Sequence, residues 1–120
     1  MSAKLTNEIF ACVDRRDAKG FAGFFASNGR FVFGNADPIV GREAIADAVG
    51  AFFARLRGLR HQILNRWDAA AGTVVEVAVE YDLPDGRTVA VPAVSIFACD
   101  GSGLVSDYRI FVDLAPLSAA

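Results

Sequence analysis

Apolar residues in the first half of the chain recur with the period of an α-helix. A stripe near the N-terminus predicts a first amphipathic helix, and the same spacing from Ile45 to Leu56 predicts a third. Between them Asp17 is suited to cap a second short helix, which we expect to end at Ser27–Gly29. A short strand is predicted at Phe31–Phe33. The stripe of the first helix is Leu5, Ile9, Cys12 and Val13.

After Gly58 the period changes to two, which is typical of half-buried β-strands. Short connections separate the runs and favour antiparallel neighbours, because a parallel crossover takes about a dozen residues. The pattern predicts an α+β domain, with three N-terminal helices packed in a curved, mostly antiparallel sheet. We expect a single domain over residues 1–120, since this length suits one compact unit. The β-rich runs are Arg60–Asp68, Thr73–Asp82, Arg87–Cys99 and Leu104–Asp113.

Composition narrows the classes of partner. Hydrophobic residues make up 53% of the chain, which excludes intrinsic disorder. The 12 Lys and Arg against 14 Asp and Glu leave a net charge of -2, so we expect no nucleic-acid partner. No apolar run approaches the ~20 residues of a membrane span, so we expect no membrane partner. The apolar excess therefore belongs to a core, a cavity or a subunit interface.

The cysteines and the single histidine lack the spacing of metal ligands. Cys12 and Cys99 lie in apolar patterns and are interpreted as buried free thiols of a reducing compartment. The start of the chain, Met1–Lys4, leads into an amphipathic stretch without an uninterrupted apolar region, which argues against a secretory signal. We therefore expect a cytoplasmic protein with no metal and no cofactor.

The strand predicted around residue 77 raises a question of orientation. Val75, Val77 and Val79 point to one face of this strand, whereas Glu76 and Ala78 point to the other. Periodicity alone favours valines that are buried against the helices and a glutamate that lies in water.

The order of the elements and several short motifs resemble the nuclear transport factor 2-like superfamily, and within it the SnoaL-like and ketosteroid-isomerase-like domains. The resemblance implies a cone, in which the sheet wraps around the helices and encloses an apolar pocket, while its convex face often forms a homodimer. The superfamily contains isomerases, dehydratases, cyclases, epoxide hydrolases and non-enzymatic binding proteins, so function has to be argued from the site. The motifs are Val13-Asp14 with Asp17, Pro38–Glu43, Leu83–Arg87 and Tyr108–Asp113.

The resemblance reverses the orientation that periodicity favours. Matching Leu83–Gly86 to limonene-epoxide-hydrolase-like members places Glu76 and Ala78 in the pocket and turns the valines outward. An exposed row of three valines would promote aggregation unless it were covered. We therefore expect a homodimer whose interface carries the valines; these are Val75, Val77 and Val79.

The catalytic residues of two known activities are missing. The epoxide hydrolase resemblance requires an Asp-Arg-Asp set, and those positions hold Glu76, Ala78 and Ile110. Its water-holding Tyr and Asn correspond to Phe31 and Phe33, which we expect to line the pocket. This activity is therefore disfavoured.

Ketosteroid isomerase uses an Asp base with a Tyr and a protonated Asp. The resemblance places Ile9 at the tyrosine position and Ser95 at the second aspartate position, while the base falls at Val32 or Phe33. These side chains cannot shuttle a proton between carbon atoms, so this activity is disfavoured as well.

Glu76, Ser95 and Tyr108 are the candidate catalytic residues. A carboxyl group that lines an apolar cone is desolvated, which suits Glu76 to move a proton; the alternative is a solvated glutamate or a partner of an arginine. Ser95 and Tyr108 are candidate donors to a ligand oxygen, although a lone serine on a strand more often bonds locally. Ile110 shares the inward face of the last strand with Tyr108.

His61 and Trp67 are further candidates for the pocket. His61 is the only imidazole and would serve as a proton shuttle, but its direction depends on the register of the Asp68–Gly72 turn. Trp67 shares a face with His61 and would offer a flat platform to a ring-shaped ligand. The alternatives are a surface or interface histidine and a packing tryptophan.

Three hypotheses for function follow. The first is a cofactor-free enzyme of the isomerase, cyclase or hydrolase type that acts on an apolar small molecule. The second is a protein that binds such a molecule without chemistry. The third is an interaction module in which the dimer face is the function and the cone is filled.

Overall fold

The computed structural model describes residues 3–118, which form four helices and six strands. None of the helices in this range is long and apolar enough to cross a membrane. The elements are α1 (Ala3–Asp14), α2 (Ala18–Gly23), β1 (Phe25–Phe33), β2 (Ile39–Val40), α3 (Arg42–Phe53), β3 (Gly58–Ala69), β4 (Gly72–Asp82), β5 (Thr88–Cys99), β6 (Val105–Val112) and α4 (Ala115–Ser118).

The six strands form one curved sheet in the order β2-β1-β6-β5-β4-β3. The predicted meander corresponds to β3–β6, and every pairing within it is antiparallel. Strand β1 adds to β6 in the parallel sense, and the two-residue β2 pairs with β1. With α1, α2 and α3 packed against this sheet, the predicted α+β architecture is confirmed.

The second helix ends earlier than predicted. Asp17 caps its N-terminus as expected, because its Oδ1 accepts a hydrogen bond from the Gly20 N–H at 2.9 Å. The helix stops at Gly23, however, and β1 already begins at Phe25. Ser27–Gly29, which we expected to end the helix, instead lie in β1, where the pairing with β6 is irregular. A Cβ atom on Gly29 would lie 2.9 Å from the backbone oxygen of Val105 in β6. The glycine therefore serves a close approach of two strands.

The orientation of β4 corrects the expectation based on the resemblance. Val75, Val77 and Val79 are 0%, 1% and 0% exposed and belong to the apolar core with the helices. Glu76 and Ala78 therefore point to the opposite, convex face of the sheet. Burial of each of the three valine side chains stabilises the fold by about 1.5–3 kcal/mol. The opposite orientation would lose this stabilisation and would also bury the carboxyl group of Glu76, which costs free energy. The valines are not a dimer face.

A β-bulge in β3 separates the directions of its two candidate side chains. The pairing with β4 shifts between Ile63 and Asn65, so that one extra residue enters β3 at this point. His61 lies opposite Val79 on the inner face, whereas Trp67 lies opposite Val74 on the convex face. The expectation that Trp67 shares a face with His61 and lines the pocket is therefore wrong.

We expect a substitution of Val75 to distinguish the two faces of β4. Val75→Ala removes two buried methyl groups and should lower the free energy of unfolding by about 2 kcal/mol. The matched control is Val74→Ala on the half-buried convex face of the same strand, which should cost less than half as much. Urea denaturation of both variants measures the difference, and equal losses would contradict this orientation.

Candidate functional site

A cavity of about 240 Å³ lies between the helices and the inner face of the sheet. Its wall is mostly apolar, with contributions from α1, α2, α3 and all six strands. A cavity of about 150 Å³ is enough to hold benzene. There is consequently room for a compound of one or two rings. The aromatic lining residues are Phe10, Phe21, Phe31, Phe33, Phe52, Phe53, Tyr81 and Tyr108.

Ring contacts hold part of this wall in place. The centroid of Phe21 lies 5.4 Å from that of Phe31 and 5.5 Å from that of Tyr108, both in edge-to-face geometry. Phe97 is buried next to this group and does not line the cavity. Its ring stacks on that of Tyr108, with a centroid distance of 5.3 Å and an interplanar angle of 7°. Such a packed group keeps its shape without a ligand, which favours a preformed binding site.

His61 and Asp14 form a hydrogen-bonded pair at the cavity wall. Asp14 ends α1, and its Oδ1 lies 2.7 Å from His61 Nδ1. Its Oδ2 also accepts a hydrogen bond from the backbone N–H of His61 at 3.3 Å. Because a carboxylate only accepts hydrogen bonds, Nδ1 carries the proton and Nε2 has the free lone pair. Phe10 packs against the imidazole, with ring centroids 5.1 Å apart.

Burial lowers the pKa of His61 below its usual value of about 6.5, and the hydrogen bond and charge of Asp14 oppose this shift only in part. The imidazole is therefore neutral at pH 7. A neutral imidazole with one nitrogen bound to a carboxylate is suited to act as a general base.

Ser95 and Tyr108 supply a second polar feature of the cavity wall. They come from the neighbouring strands β5 and β6, are 2% and 1% exposed, and are hydrogen-bonded to each other. Burial raises the pKa of Tyr108 to about 12, although the hydrogen bond from Ser95 acts in the opposite direction. Both hydroxyl groups thus remain protonated and have a partner before any ligand arrives.

The structure brings together six of the predicted residues and excludes three. Glu76 and Ala78 lie on the convex face, and Glu76 Oε1 accepts a hydrogen bond from Asn65 Nδ2 at 2.7 Å. The prediction that Glu76 is a carboxyl group of the pocket is therefore wrong. Trp67 lies on the same convex face, where it is 53% exposed, and does not line the cavity either. The predicted residues that line the cavity are Phe31, Phe33, His61, Ser95, Tyr108 and Ile110.

Two polar residues of the site were missed by the sequence analysis. Tyr81 lines the cavity and would have followed from the alternation of β4, which continues inward from Val79. From the sequence, Asp14 is named only as part of a family motif and is given no role in the site. Asp14 and His61 are 47 positions apart in the chain. No local pattern indicates such a contact.

An open cleft adjoins the cavity and shares Phe33, Ala36 and Phe52 with it. Arg55 and Arg87 lie along this cleft, so it is more polar than the cavity. The cleft and the cavity therefore have part of their walls in common. Within residues 3–118 no group of three or more His, Cys, Asp or Glu is placed to hold a metal ion.

The comparison with protein families agrees with this geometry. The model of the SnoaL-like domain matches residues 6–108. The chain belongs to the SnoaL-like domain family. A comparison with curated protein sequences finds no significant match.

Solved structures of similar fold cover nearly all of this SnoaL-like domain. A hypothetical protein with a ketosteroid isomerase-like fold from Catenulispora acidiphila, in complex with trimethylamine, has a TM-score of 0.86 at 16% identity; the match covers 95% of this chain and 88% of that chain. TerC, co-crystallised with polyporic acid, has a TM-score of 0.82 at 16% identity, with coverage of 96% and 93%. The epoxide hydrolase/cyclase-like enzyme SalBIII, with a role in pyran ring formation in salinomycin, has a TM-score of 0.80 at 18% identity, with coverage of 93% and 90%. At these identities the likeness establishes the fold alone.

We expect the single histidine to report directly on the Asp14 contact. In NMR titrations the His61 ring signals should give a pKa below 6.5, because burial disfavours the imidazolium. Asp14→Asn should lower this pKa further, since it removes the negative charge that stabilises the imidazolium. A pKa that rises in this variant would contradict the assigned contact.

Proposed function

We propose that this SnoaL-like protein binds an apolar, ring-bearing small molecule in its cavity and transfers a proton on it with His61. The observation that carries the proposal is the His61–Asp14 pair, with its 2.7 Å hydrogen bond, at the wall of a cavity that is otherwise almost entirely apolar. An imidazole kept neutral by burial and held in one orientation is a ready general base.

The proton transfer needs only groups of this chain. Nε2 of His61 accepts a proton from a carbon atom next to a ligand carbonyl, and the electron pair of the broken C–H bond moves toward the carbonyl oxygen. Asp14 stabilises the imidazolium that forms, since its Oδ1 remains hydrogen-bonded to Nδ1. His61 then returns the proton to the ligand. No cofactor is required for this exchange.

Proteins of the same fold support a small-molecule ligand. TerC was crystallised with polyporic acid, and the protein from Catenulispora acidiphila with trimethylamine. SalBIII takes part in the formation of a pyran ring. These proteins differ in what they bind, so the class of ligand for this chain rests on its own cavity wall.

A second candidate function is binding without chemistry. It is favoured by the absence of the catalytic sets of epoxide hydrolases and ketosteroid isomerase, whose positions hold residues such as Ile9, Ile110 and Phe33. The two functions share the cavity and differ only in the role of His61.

Deuterium exchange separates the two functions without knowledge of the natural substrate. We expect the protein to bind 1-tetralone and to accelerate exchange of its C2 protons in D2O, as followed by NMR. His61→Gln should retain binding and slow the exchange by about 10²- to 10⁴-fold, because the base is lost. The rate should also fall as the pH drops through the pKa of His61, since only the neutral imidazole accepts a proton.

Glu76→Gln is the matched control, because it changes a carboxyl group on the convex face. It should leave both binding and exchange unchanged. Binding without exchange in the wild-type protein would support the second function. No binding of 1-tetralone or of other one- and two-ring compounds at millimolar concentration would contradict both.

We also propose that the protein is a homodimer, with an interface on the convex face of the sheet. Trp67 and Phe111 are 53% and 52% exposed there, and half-buried Val94 and Ile96 lie between their positions in the strand register. An apolar patch of this kind marks an interaction surface. A second copy is the partner that fits, because the family often dimerises through this face and a two-fold interface places the same patch on both sides.

Sedimentation velocity tests the dimer. The wild-type protein should sediment as a dimer at micromolar concentration. Phe111→Glu should shift it to the monomer, because the new carboxylate would be buried without a partner. Val74→Ala provides a control that keeps the face apolar. A wild-type protein that is monomeric and folded at 100 µM would contradict the proposal.

A further inference from the structure

Tyr81 presents its hydroxyl group to the cavity without a hydrogen bond to another group of residues 3–118. The residue is 4% exposed and lines the cavity. Across the described range 3–118 its hydroxyl has no hydrogen-bond partner, and its close contact is the edge-to-face packing of its ring on Phe52 at 5.9 Å. A tyrosine hydroxyl that faces a cavity and has no protein partner is available to a ligand.

The other tyrosine of the cavity is in a different state. The Tyr108 hydroxyl is hydrogen-bonded to Ser95, so a ligand that approached it would compete with an existing bond. Tyr81 has no bond to lose. Burial raises its pKa to about 12, so its hydroxyl stays protonated and can donate.

The strand register places Tyr81 beside His61. Tyr81 lies opposite Leu59 on β3, and His61 lies opposite Val79 on β4. Tyr81 and His61 are therefore diagonal neighbours on the inner face, a relation with a spacing of about 7–8 Å that aromatic side chains can bridge. Phe52, against which Tyr81 packs, lines both the cavity and the adjoining cleft.

We propose that Tyr81 binds the oxygen atom of the ligand, and that the ligand is a one- or two-ring compound with a carbonyl oxygen. The ring of the ligand lies among the aromatic side chains, and its oxygen points toward Tyr81. A carbonyl held at Tyr81 presents its neighbouring carbon atoms to His61. This assignment rests on the proposed binding function and names the ligand class for the same cavity.

A matched pair of ligands tests the assignment. Tetralin and 1-tetralone have the same two-ring skeleton and differ by one carbonyl oxygen. Calorimetric titration should show that Tyr81→Phe weakens binding of 1-tetralone by about fivefold, the usual effect of one hydrogen bond, and changes binding of tetralin by less than twofold. In addition, the carbonyl ¹³C signal of bound 1-tetralone should shift downfield in the wild-type protein and lose this shift in Tyr81→Phe.

Four results would overturn the assignment. Equal losses for both ligands in Tyr81→Phe would make the residue part of the packing alone. A loss selective for 1-tetralone in Tyr108→Phe, with none in Tyr81→Phe, would place the oxygen at the Ser95–Tyr108 pair. Failure of the wild-type protein to bind either ligand would contradict the proposed function itself. Binding of tetralin without a preference for 1-tetralone would leave that function standing and refute only the assignment to Tyr81.

Discussion

The helices cover one face of the curved sheet, and this burial decides the chemistry of both faces. Residues directly opposite each other on paired strands point the same way, so one inward residue sets the direction of a whole row. Val75 pairs with Ser95, Ser95 with Ile110 and, across the parallel junction, Ile110 with Phe33. Once Val75 is buried, this row lines the interior and Glu76 is left outside.

The site is assembled from parts of the chain that are distant in sequence. Asp14 is the last residue of α1, and His61 lies near the start of β3. The Asp14 carboxylate accepts hydrogen bonds from both the backbone N–H and the ring Nδ1–H of His61. The contact joins α1 to β3 and also selects the tautomer of the imidazole. A single hydrogen-bonded pair therefore connects the packing of the fold to its acid–base chemistry, with Phe10 packed against the imidazole.

The two faces of the sheet carry different kinds of side chain. The inner face offers an apolar cavity with few polar groups, among them His61, Tyr81 and the Ser95–Tyr108 pair. The convex face carries Trp67 and Phe111, beside charged groups such as Arg109, whose guanidinium lies 5.8 Å from the Phe111 ring. A ligand inside and a second copy outside would use different residues of the same strands, so each can be altered without the other.

Local patterns of the sequence determined the presence of the first three helices, the four strands of the meander and the Asp17 cap, because period, propensity and capping act over a few neighbouring residues. They also determined that β4 has one apolar and one polar face, and its periodicity favoured the orientation that the structure has. Tertiary structure alone decided the rest. The bulge at Ile63–Asn65 turns Trp67 outward while His61 stays inside, and the Asp14–His61 contact exists only after α1 packs on β3. One inserted residue moves every later side chain of the strand to the opposite face of the sheet. The alternation of apolar and polar residues along the strand does not show where such an insertion lies.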